Sequence, residues 1–176
     1  QVVAYIDAAS QLEDNWGGTF LQMNENFTPK SFDNLRTFIE NWPNGLPLAV
    51  ELRHHAWYDD PAVYNELTDL YRGNDITHIL TDTPGRRDLM HMDLTNGKAF
   101  IRWVGGNHPT DHDRIQDWVQ RIQAWSDLGI QEVAFMIHQH HELELPMLAT
   151  DLVKGLNAGL GLDLPQPVKG AGDLFS

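Results

Sequence analysis

The sequence predicts an α/β protein built on a parallel β-sheet. Short segments rich in β-branched and aromatic residues alternate with segments whose apolar residues recur every three or four positions, as in an amphipathic helix. Strands and helices that alternate along a chain form right-handed βαβ units, which place the strands parallel to one another. Polar residues also gather where the predicted strands end, the edge at which such folds bind ligands.

The first half of the chain predicts two strands. Residues 1–15 have the apolar spacing of a helix, which ends at a Gly-Gly pair, and Thr19–Asn24 is the first strand. A second helix begins at Thr28-Pro29, because proline is suited to the first helical turn. It leads to the second strand, Leu48–His54, in which apolar and charged residues alternate.

The second half predicts three more strands and three helices. The strands are Thr77–Thr81, Lys98–Val104 and Glu132–Ile137. The helices begin at Asp60-Pro61, at Asp111 or Asp113, and at about Leu145. Trp118 and Trp125 lie on the apolar stripe of the middle helix and are assigned to the core. The segment between the third and fourth strands is predicted to be a long loop.

Composition and charge limit the kind of protein. With 41% hydrophobic and 21% charged residues among 176, we expect a single globular domain over residues 1–160 and an extended tail over residues 161–176. No apolar run is long enough to span a membrane. The net charge of −13 opposes binding to nucleic acid through bulk charge. The chain has no cysteine, which excludes disulfides and thiolate metal sites, and we expect a cytoplasmic location.

The segment Leu48–Asp60 carries the strongest functional signal. In a strand, residues two apart face the same way, so Glu51 and Arg53 project side by side just before His54. Opposite charges inside an apolar strand are costly unless they pair or serve a site. Two interpretations remain open here: a structural ion pair beside a solvated loop, or the centre of a functional site.

The other predicted strands also end in polar groups. These groups are Asn24-Glu25, Asp82, Gly105-Gly106-Asn107 and His138-Gln139-His140-His141. Arg102 lies inside the fourth strand. Because the carboxyl ends of parallel strands share one edge, a common site explains the set better than chance does.

Four of these segments resemble one family. The segments AVELRHHAWY, ILTDTPGRRDLMHM, AFIRWVGGNH and FMIHQHHE are similar to those of the YecE-like family, the domain of unknown function 72. The resemblance covers essentially the whole chain. The shared pattern is Glu-x-Arg followed by His and Trp, then an Asp at the end of one strand and an Arg inside the next strand. The fifth strand departs from the family, because many members have asparagines where this chain has His138-Gln139-His140.

The resemblance implies a TIM-type β/α barrel of unestablished activity. It carries over as candidate site positions Glu51, Arg53, His54, Trp57, Asp82 and Arg102. A whole barrel has eight strands in about 250 residues, so the strands predicted here would be the fourth to the eighth, with the first three absent. The chain would then be a fragment or a truncated gene product, and the open sheet edges predict association with a partner or oligomer.

Two kinds of chemistry fit these residues. A divalent metal would be bound by His138 and His140, with Glu51, His54 and Asp82 as further ligands or a general base. No sharply spaced metal motif is present, however, and nine histidines in an acidic chain also cluster without a metal.

The second kind of chemistry is anion binding. The guanidinium groups of Arg53 and Arg102 suit phosphate or carboxylate. Gly105-Gly106-Asn107 would follow barrel strand seven, where TIM barrels often bind phosphate. The alternative is that the two glycines only form a tight turn before a helix.

We therefore expect an enzyme of unknown reaction, such as a hydrolase, that acts on a small or phosphate-bearing molecule. The expected catalytic residues are Glu51, Arg53, His54, Asp82 and Arg102, and the expected substrate-binding residues are Trp57, Gly105, Gly106 and Asn107. The charged residues among the first set are expected around one cavity. A protein that binds phosphate or a nucleic-acid backbone without catalysis is the alternative.

The tail ends in a short apolar sequence. Asp173-Leu174-Phe175 resembles the final part of the motif by which bacterial DNA-repair and replication proteins bind the sliding clamp, but the usual preceding Gln is absent. A docking peptide for the clamp and a tail that folds back onto the helices both remain open.

Overall fold

The computed structural model describes residues 2–167, which form an α/β fold around five parallel strands that neighbour one another in chain order. The strands are β1 Thr19–Gln22, β2 Leu48–Glu51, β3 Thr77–Asp82, β4 Lys98–Gly105 and β5 Glu132–Gln139. The helices are α1 Val2–Ala9, α2 Phe32–Glu40, α3 Ala56–Asp59, α4 Pro61–Gly73, α5 Thr110–Asp127 and α6 Leu145–Leu160. The predicted α/β class is confirmed, and the sheet forms a curled half-barrel.

The two faces of this sheet have different environments. Along β4, every second residue is buried, and Ile101 and Trp103 pack against the helices on the outer face. Arg102 points to the opposite, concave face, where it lines a cavity. Thr81 is paired in register with Arg102 and therefore lies on the concave face as well.

Two apolar clusters hold the helices on the outer face. The first joins β4 to α5 and α6 and contains Trp118 and Trp125, which are 4% and 7% exposed. The second joins β2 to α2 and α4 and contains Val50 and Leu67. The core positions of the two tryptophans are confirmed. Because close-packed cores have little freedom to shift, these clusters fix where the strands end.

The connection between β3 and β4 contains no α-helix. Residues 83–97, called the strap below, follow the outer side of β3 with one short 3₁₀ turn. The Thr95 hydroxyl donates to the Ile76 carbonyl O at 2.5 Å and accepts from the His78 backbone N–H at 3.1 Å. This N–H precedes the β3–β4 pairing, which begins at Ile79, so a side chain provides the partner that a buried amide requires.

Several predicted boundaries were wrong. β1 ends at Gln22 rather than Asn24. The first helix ends at Ala9, and a 3₁₀ segment that is interrupted at Glu13, with φ of 48°, follows it. β2 ends at Glu51 rather than His54, because the chain turns there toward the short helix α3. β5 continues to Gln139, because its last two residues still pair with β4.

The ends of the described part have little regular structure beyond α1 and α6. Residues 162–167 form neither helix nor strand. Asp173-Leu174-Phe175, on which the clamp-binding prediction depends, lies outside the described residues. Within residues 2–167, no helix is both long enough and apolar enough to cross a membrane.

Candidate functional site

A buried carboxylate connects four strands on the concave face. Glu51, at the end of β2, is 1% exposed and accepts hydrogen bonds from Gln22 of β1 at 2.7 Å and from Thr81 of β3 at 3.2 Å. It also forms an ion pair with Arg102 of β4. These four residues are called the Glu51 cluster below.

The strand register explains why the cluster forms. Gln22 is the register partner of Glu51, and Thr81 is the partner of Arg102. Oε1 of Glu51 accepts from Thr81, while Oε2 accepts from Gln22 and Arg102. A buried carboxylate is strongly unfavourable without such partners, so these three donors allow Glu51 to remain in the strand.

The cluster reaches solvent through Arg102. The Arg102 side chain is 28% exposed and lines a cavity of about 1180 Å³ on the concave face. Most of the lining of this cavity comes from the amino ends of the strands, and Glu51 itself does not line it. Phe20 and Phe100, whose ring centroids are 5.8 Å apart, line the same cavity, as does His138. The concave face therefore presents a cation beside an aromatic wall.

Arg53 and His54 follow the cluster along the chain. Glu51 pairs with Arg102, and no ion pair of Arg53 occurs within the described residues. The Arg53 carbonyl O accepts from the strap residue Arg86 at 3.0 Å. His54 Nδ1 accepts from the Ala56 backbone N–H at 3.1 Å, which leaves Nε2 as the protonated nitrogen of the neutral ring.

Asp82 lies on the other side of the sheet. Of the four charged residues expected around one cavity, Glu51 and Arg102 form an ion pair and Arg102 lines the concave cavity, but Asp82 does not join them. Its register partner is Trp103, which packs on the outer face. Its Oδ1 lies 2.8 Å from Arg114 and 3.3 Å from Arg87, and its Oδ2 accepts from the Trp118 indole N–H at 2.8 Å. Asp82 therefore ties β3 to the strap and α5.

The glycine loop after β4 already binds a carboxylate of the protein. Asp111, in the first turn of α5, is 2% exposed and accepts from the backbone N–H of Gly106 at 3.0 Å and of His108 at 3.4 Å. It also accepts from Arg114 at 3.1 Å and from Gln139 at 3.2 Å. Of the loop predicted to bind phosphate, the Gly106 amide is thus occupied by an internal anion.

Electrostatics and packing keep this arrangement in place. Burial alone would raise the pKa of Asp111, but hydrogen bonds from Gly106, His108 and Gln139, together with the charge of Arg114, lower it below its ordinary value. A Cβ atom on Gly105 would lie 2.8 Å from Asp111 Oδ2. Glycine is therefore required beside the carboxylate.

Asn107 connects two loops rather than facing a cavity. It has φ of 52°, a left-handed conformation that asparagine tolerates better than most residues. Its amide donates to the His141 carbonyl O at 2.8 Å and accepts from the His141 backbone N–H at 3.1 Å. This side chain holds the loop after β4 against the loop after β5.

Trp57 is a core residue, which corrects its assignment to substrate binding. Its side chain is fully buried, and its indole N–H donates to the Phe27 carbonyl O at 2.7 Å. The rings of Trp57 and Phe27 stack with their centroids 5.7 Å apart, and Phe32 packs against the same indole. An aromatic residue after a strand has here packed beneath the loops.

His138 and His140 are both exposed at the end of β5. His138 lines the concave cavity, and its Nδ1 lies 3.2 Å from Glu142. The ring of His140 packs at an angle against that of His141, with centroids 4.8 Å apart. In the part of the chain that the structure describes, no three His, Asp or Glu side chains come together as a metal site would require.

Several residues of these clusters were not identified from the sequence. Gln22 and Thr81 face Glu51 only because of the register between strands, which a single sequence does not contain. Arg114 follows Asp111 at a spacing of three on α5, which is also the spacing of ordinary surface pairs. Gln139 was noted only as part of the histidine-rich strand end.

The chain is similar to one protein family and to two crystal structures. The model of a family described as protein of unknown function DUF72 matches residues 1–170. A crystal structure of a DUF72 family protein from Enterococcus faecalis V583 at 3.10 Å is 16% identical in sequence and has a TM-score of 0.66. The match covers 94% of this chain and 67% of the other protein's chain. A second, at 2.52 Å, is 17% identical with a TM-score of 0.69 and covers 92% and 68%. No curated protein matches the sequence.

Proposed function

The chain belongs to the DUF72 family of proteins of unknown function, and we propose that it is an enzyme whose active site lies on the concave face at the carboxyl ends of the strands. The observation that carries this proposal is the buried Glu51, which is bound by side chains from three other strands. Substrates of parallel α/β enzymes bind at this edge of the sheet.

We also propose that the five strands are consecutive strands of a TIM-type barrel. Their strict chain order, their parallel direction and the helices on one face support this architecture. In such a barrel the concave face is the interior, and the Glu51 cluster lies near the mouth. The fold does not specify the reaction.

Arg102 and Arg53 are the proposed binding groups for an anionic part of the substrate, a phosphate or a carboxylate. Arg102 is oriented by Glu51 and has its exposed part in the cavity. Arg53 follows two residues after Glu51, and its guanidinium group is a flat, bidentate donor. These arginines replace the glycine loop as the candidate anion site, because Asp111 occupies the Gly106 amide.

Glu51 and His54 are the proposed proton-transfer groups. Glu51 accepts from three kinds of donor, an amide, a hydroxyl and a guanidinium, so a change in its protonation would also move Arg102. In the neutral His54 ring, Nδ1 accepts from the Ala56 N–H and Nε2 carries the proton, so Nε2 would donate a hydrogen bond to substrate; it could take a proton only after Nδ1 gives up the backbone contact and the ring changes tautomer.

The test compares turnover with binding in the natural protein. Wild type and Glu51→Gln are screened for hydrolysis of p-nitrophenyl phosphate and other phosphate esters, and both are titrated with inorganic phosphate by calorimetry. We expect Glu51→Gln to abolish turnover and retain phosphate binding, because the arginines remain. Arg53→Gln and Arg102→Gln should weaken phosphate binding, whereas Arg121→Gln, on the exposed side of α5, should not.

A non-catalytic phosphate-binding protein is the second candidate. Arg53 and Arg102 favour it as much as they favour an enzyme, although the net charge of −13 opposes a nucleic-acid backbone as the ligand. Phosphate binding that depends on the two arginines, without turnover in hydrolase, isomerase or lyase screens, would favour the binding protein and overturn the proposal of an enzyme.

A further inference from the structure

Two stacked histidines lie between the strap and β3. The rings of His78, on β3, and His91, on the strap, have centroids 3.7 Å apart and are inclined by 23°. His78 is 1% exposed. Three of the four ring nitrogens have no hydrogen-bond partner among the described residues: both nitrogens of His78 and Nδ1 of His91. Buried polar atoms of this kind are rare, because each loses its bonds to water.

The histidine pair is one of several attachments between the strap and β3. His91 Nε2 lies 3.1 Å from the Ile79 carbonyl O, and Thr95 binds the backbone farther down the same strand. The other end of the strap reaches the rim of the sheet, where Arg86 binds the Arg53 carbonyl and Arg87 pairs with Asp82. Release of the strap would therefore change the rim.

The groups around the two rings provide little compensation for positive charge. Tyr58 of α3 stacks on both rings, with centroid distances of 6.0 and 5.7 Å, and Tyr71 of α4 meets His78 edge-on at 5.0 Å. Tyr64 of α4 lies 6.2 Å from each ring and donates to Asp93 at 2.5 Å. That carboxylate also lies 3.8 Å from Arg72 of α4, so it is shared with another cation.

Both histidines are neutral at neutral pH. Burial lowers the pKa of His78 well below its ordinary value, and the nearby His91 lowers it further. Burial lowers the pKa of His91 to about 4, against the opposing effects of the Ile79 carbonyl and Asp93. In a released strap the rings regain water and their ordinary pKa values, so the released form binds protons more strongly.

We propose that the His78–His91 stack is an acid-sensitive clasp, which holds the strap on β3 when both rings are neutral and releases it when they are protonated. Two stacked imidazolium rings would repel each other without a carboxylate in contact with either ring. The sign follows from linkage: the closed form is fully favoured above the ordinary histidine pKa and loses stability as pH falls below it.

The experiment is hydrogen–deuterium exchange of the natural protein between pH 7 and pH 4, corrected for intrinsic exchange rates. Peptides from residues 83–97 are compared with peptides from α5. We expect the strap to lose protection at a higher pH than α5. Loss of protection in both segments at the same pH would overturn the clasp, because it would report general acid unfolding.

Three variants identify the titrating group. His78→Phe keeps an aromatic ring without nitrogen atoms, and we expect its strap to open at a pH at least one unit lower than in wild type. Asp93→Asn keeps a hydrogen-bonding group without charge and should still open in acid, and His112→Gln, a partly exposed histidine paired with Asp151, should match wild type. The proposal would be overturned if the strap of His78→Phe opened at the same pH as in wild type. It would also be overturned if strap opening in Asp93→Asn no longer depended on pH. His91→Gln provides the same comparison if His78→Phe does not fold.

Discussion

At the scale of single residues, Glu51 shows how one carboxylate can hold four strands in register. Its two oxygens accept three donors, and Arg102 must reach across β3 to supply one of them. Such a group is favourable only while every partner is present, because removal of one partner leaves another buried and unpaired. The cluster therefore contributes specificity to the sheet as well as chemistry to the candidate site.

Glu51→Gln should destabilise the protein by about 2 kcal/mol, the usual value of a hydrogen bond to a charged group. Arg102→Met should also destabilise it, because Glu51 then keeps its charge without a cation. The double variant should lose less than the sum of the two, with a coupling of about 1 kcal/mol or more, as expected for residues in contact. Urea unfolding measures all three; strictly additive losses would mean that the ion pair contributes nothing.

Gly105→Ala should cost about 1–3 kcal/mol, the range for overpacking a tight site. The new methyl group would lie 2.7 Å from Gln139 Cγ, and both that side chain and Asp111 are held by hydrogen bonds. Gly17→Ala is the matched control, since no heavy atom lies within 4 Å of its added Cβ. Thermal unfolding of the two variants should differ by several degrees; equal midpoints would contradict the packing described for Asp111.

Sequence alone could not show which side chains the candidate site residues would contact. The alternation of a strand predicted that Glu51 and Arg53 share a face, but it could not show that Arg102 would be the partner, because register between strands is a tertiary property. The same gap explains Asp82, whose strand end was predicted correctly while its side of the sheet was not. Trp57 was assigned to a ligand although burial was the commoner outcome for such a residue.

At the scale of elements, the strap covers β3 where a βαβ unit would normally place a helix. It is held there by individual side chains. Within the strap Leu89 is buried, His91 Nε2 lies beside the Ile79 carbonyl of β3, and Thr95 donates to the Ile76 carbonyl just before β3. The sequence predicted a loop here because the apolar spacing of a helix is missing, and this prediction is confirmed. What it could not show is that the loop is tightly attached, since the attachment depends on single polar side chains.

Thr95→Val should destabilise the protein by about 1–3 kcal/mol, the cost of leaving buried polar groups unsatisfied. Valine has nearly the same shape, but it neither donates to the Ile76 carbonyl nor accepts from the His78 amide. Thr37→Val, at an exposed position of α2, should stay within about 0.5 kcal/mol of wild type. Chemical denaturation tests both, and a neutral Thr95→Val would show that the strap is held by its apolar residues alone.

At the scale of the whole molecule, the concave face leaves large apolar side chains exposed. Phe20 and Met136 are 53% and 51% exposed there, and within residues 2–167 the outer edges of β1 and β5 pair with no further strand. Sheet edges and apolar surfaces of this kind promote association. Their burial in a barrel or by a partner would stabilise the fold by the usual hydrophobic term.

The 176-residue chain on its own should therefore associate in solution rather than remain a monomer. Light scattering coupled to gel filtration should give a mass that rises with concentration. Phe20→Ser with Met136→Ser should reduce this association, whereas Leu128→Ser, at an exposed position beyond α5, should leave it unchanged. A monodisperse monomer that unfolds cooperatively would contradict the expectation.

The carboxylate of Asp111 occupies the amides of the glycine loop and would compete with any free anion for them. Because it is attached to the first turn of α5, its effective concentration at the Gly106 and His108 amides is on the order of millimolar or higher. A free anion of the same intrinsic affinity must exceed that concentration before it can displace the carboxylate. Asp111→Ala would remove this carboxylate and leave a vacant receptor lined by Arg114 and backbone amides, and we expect added formate or acetate to restore part of the lost stability by chemical rescue.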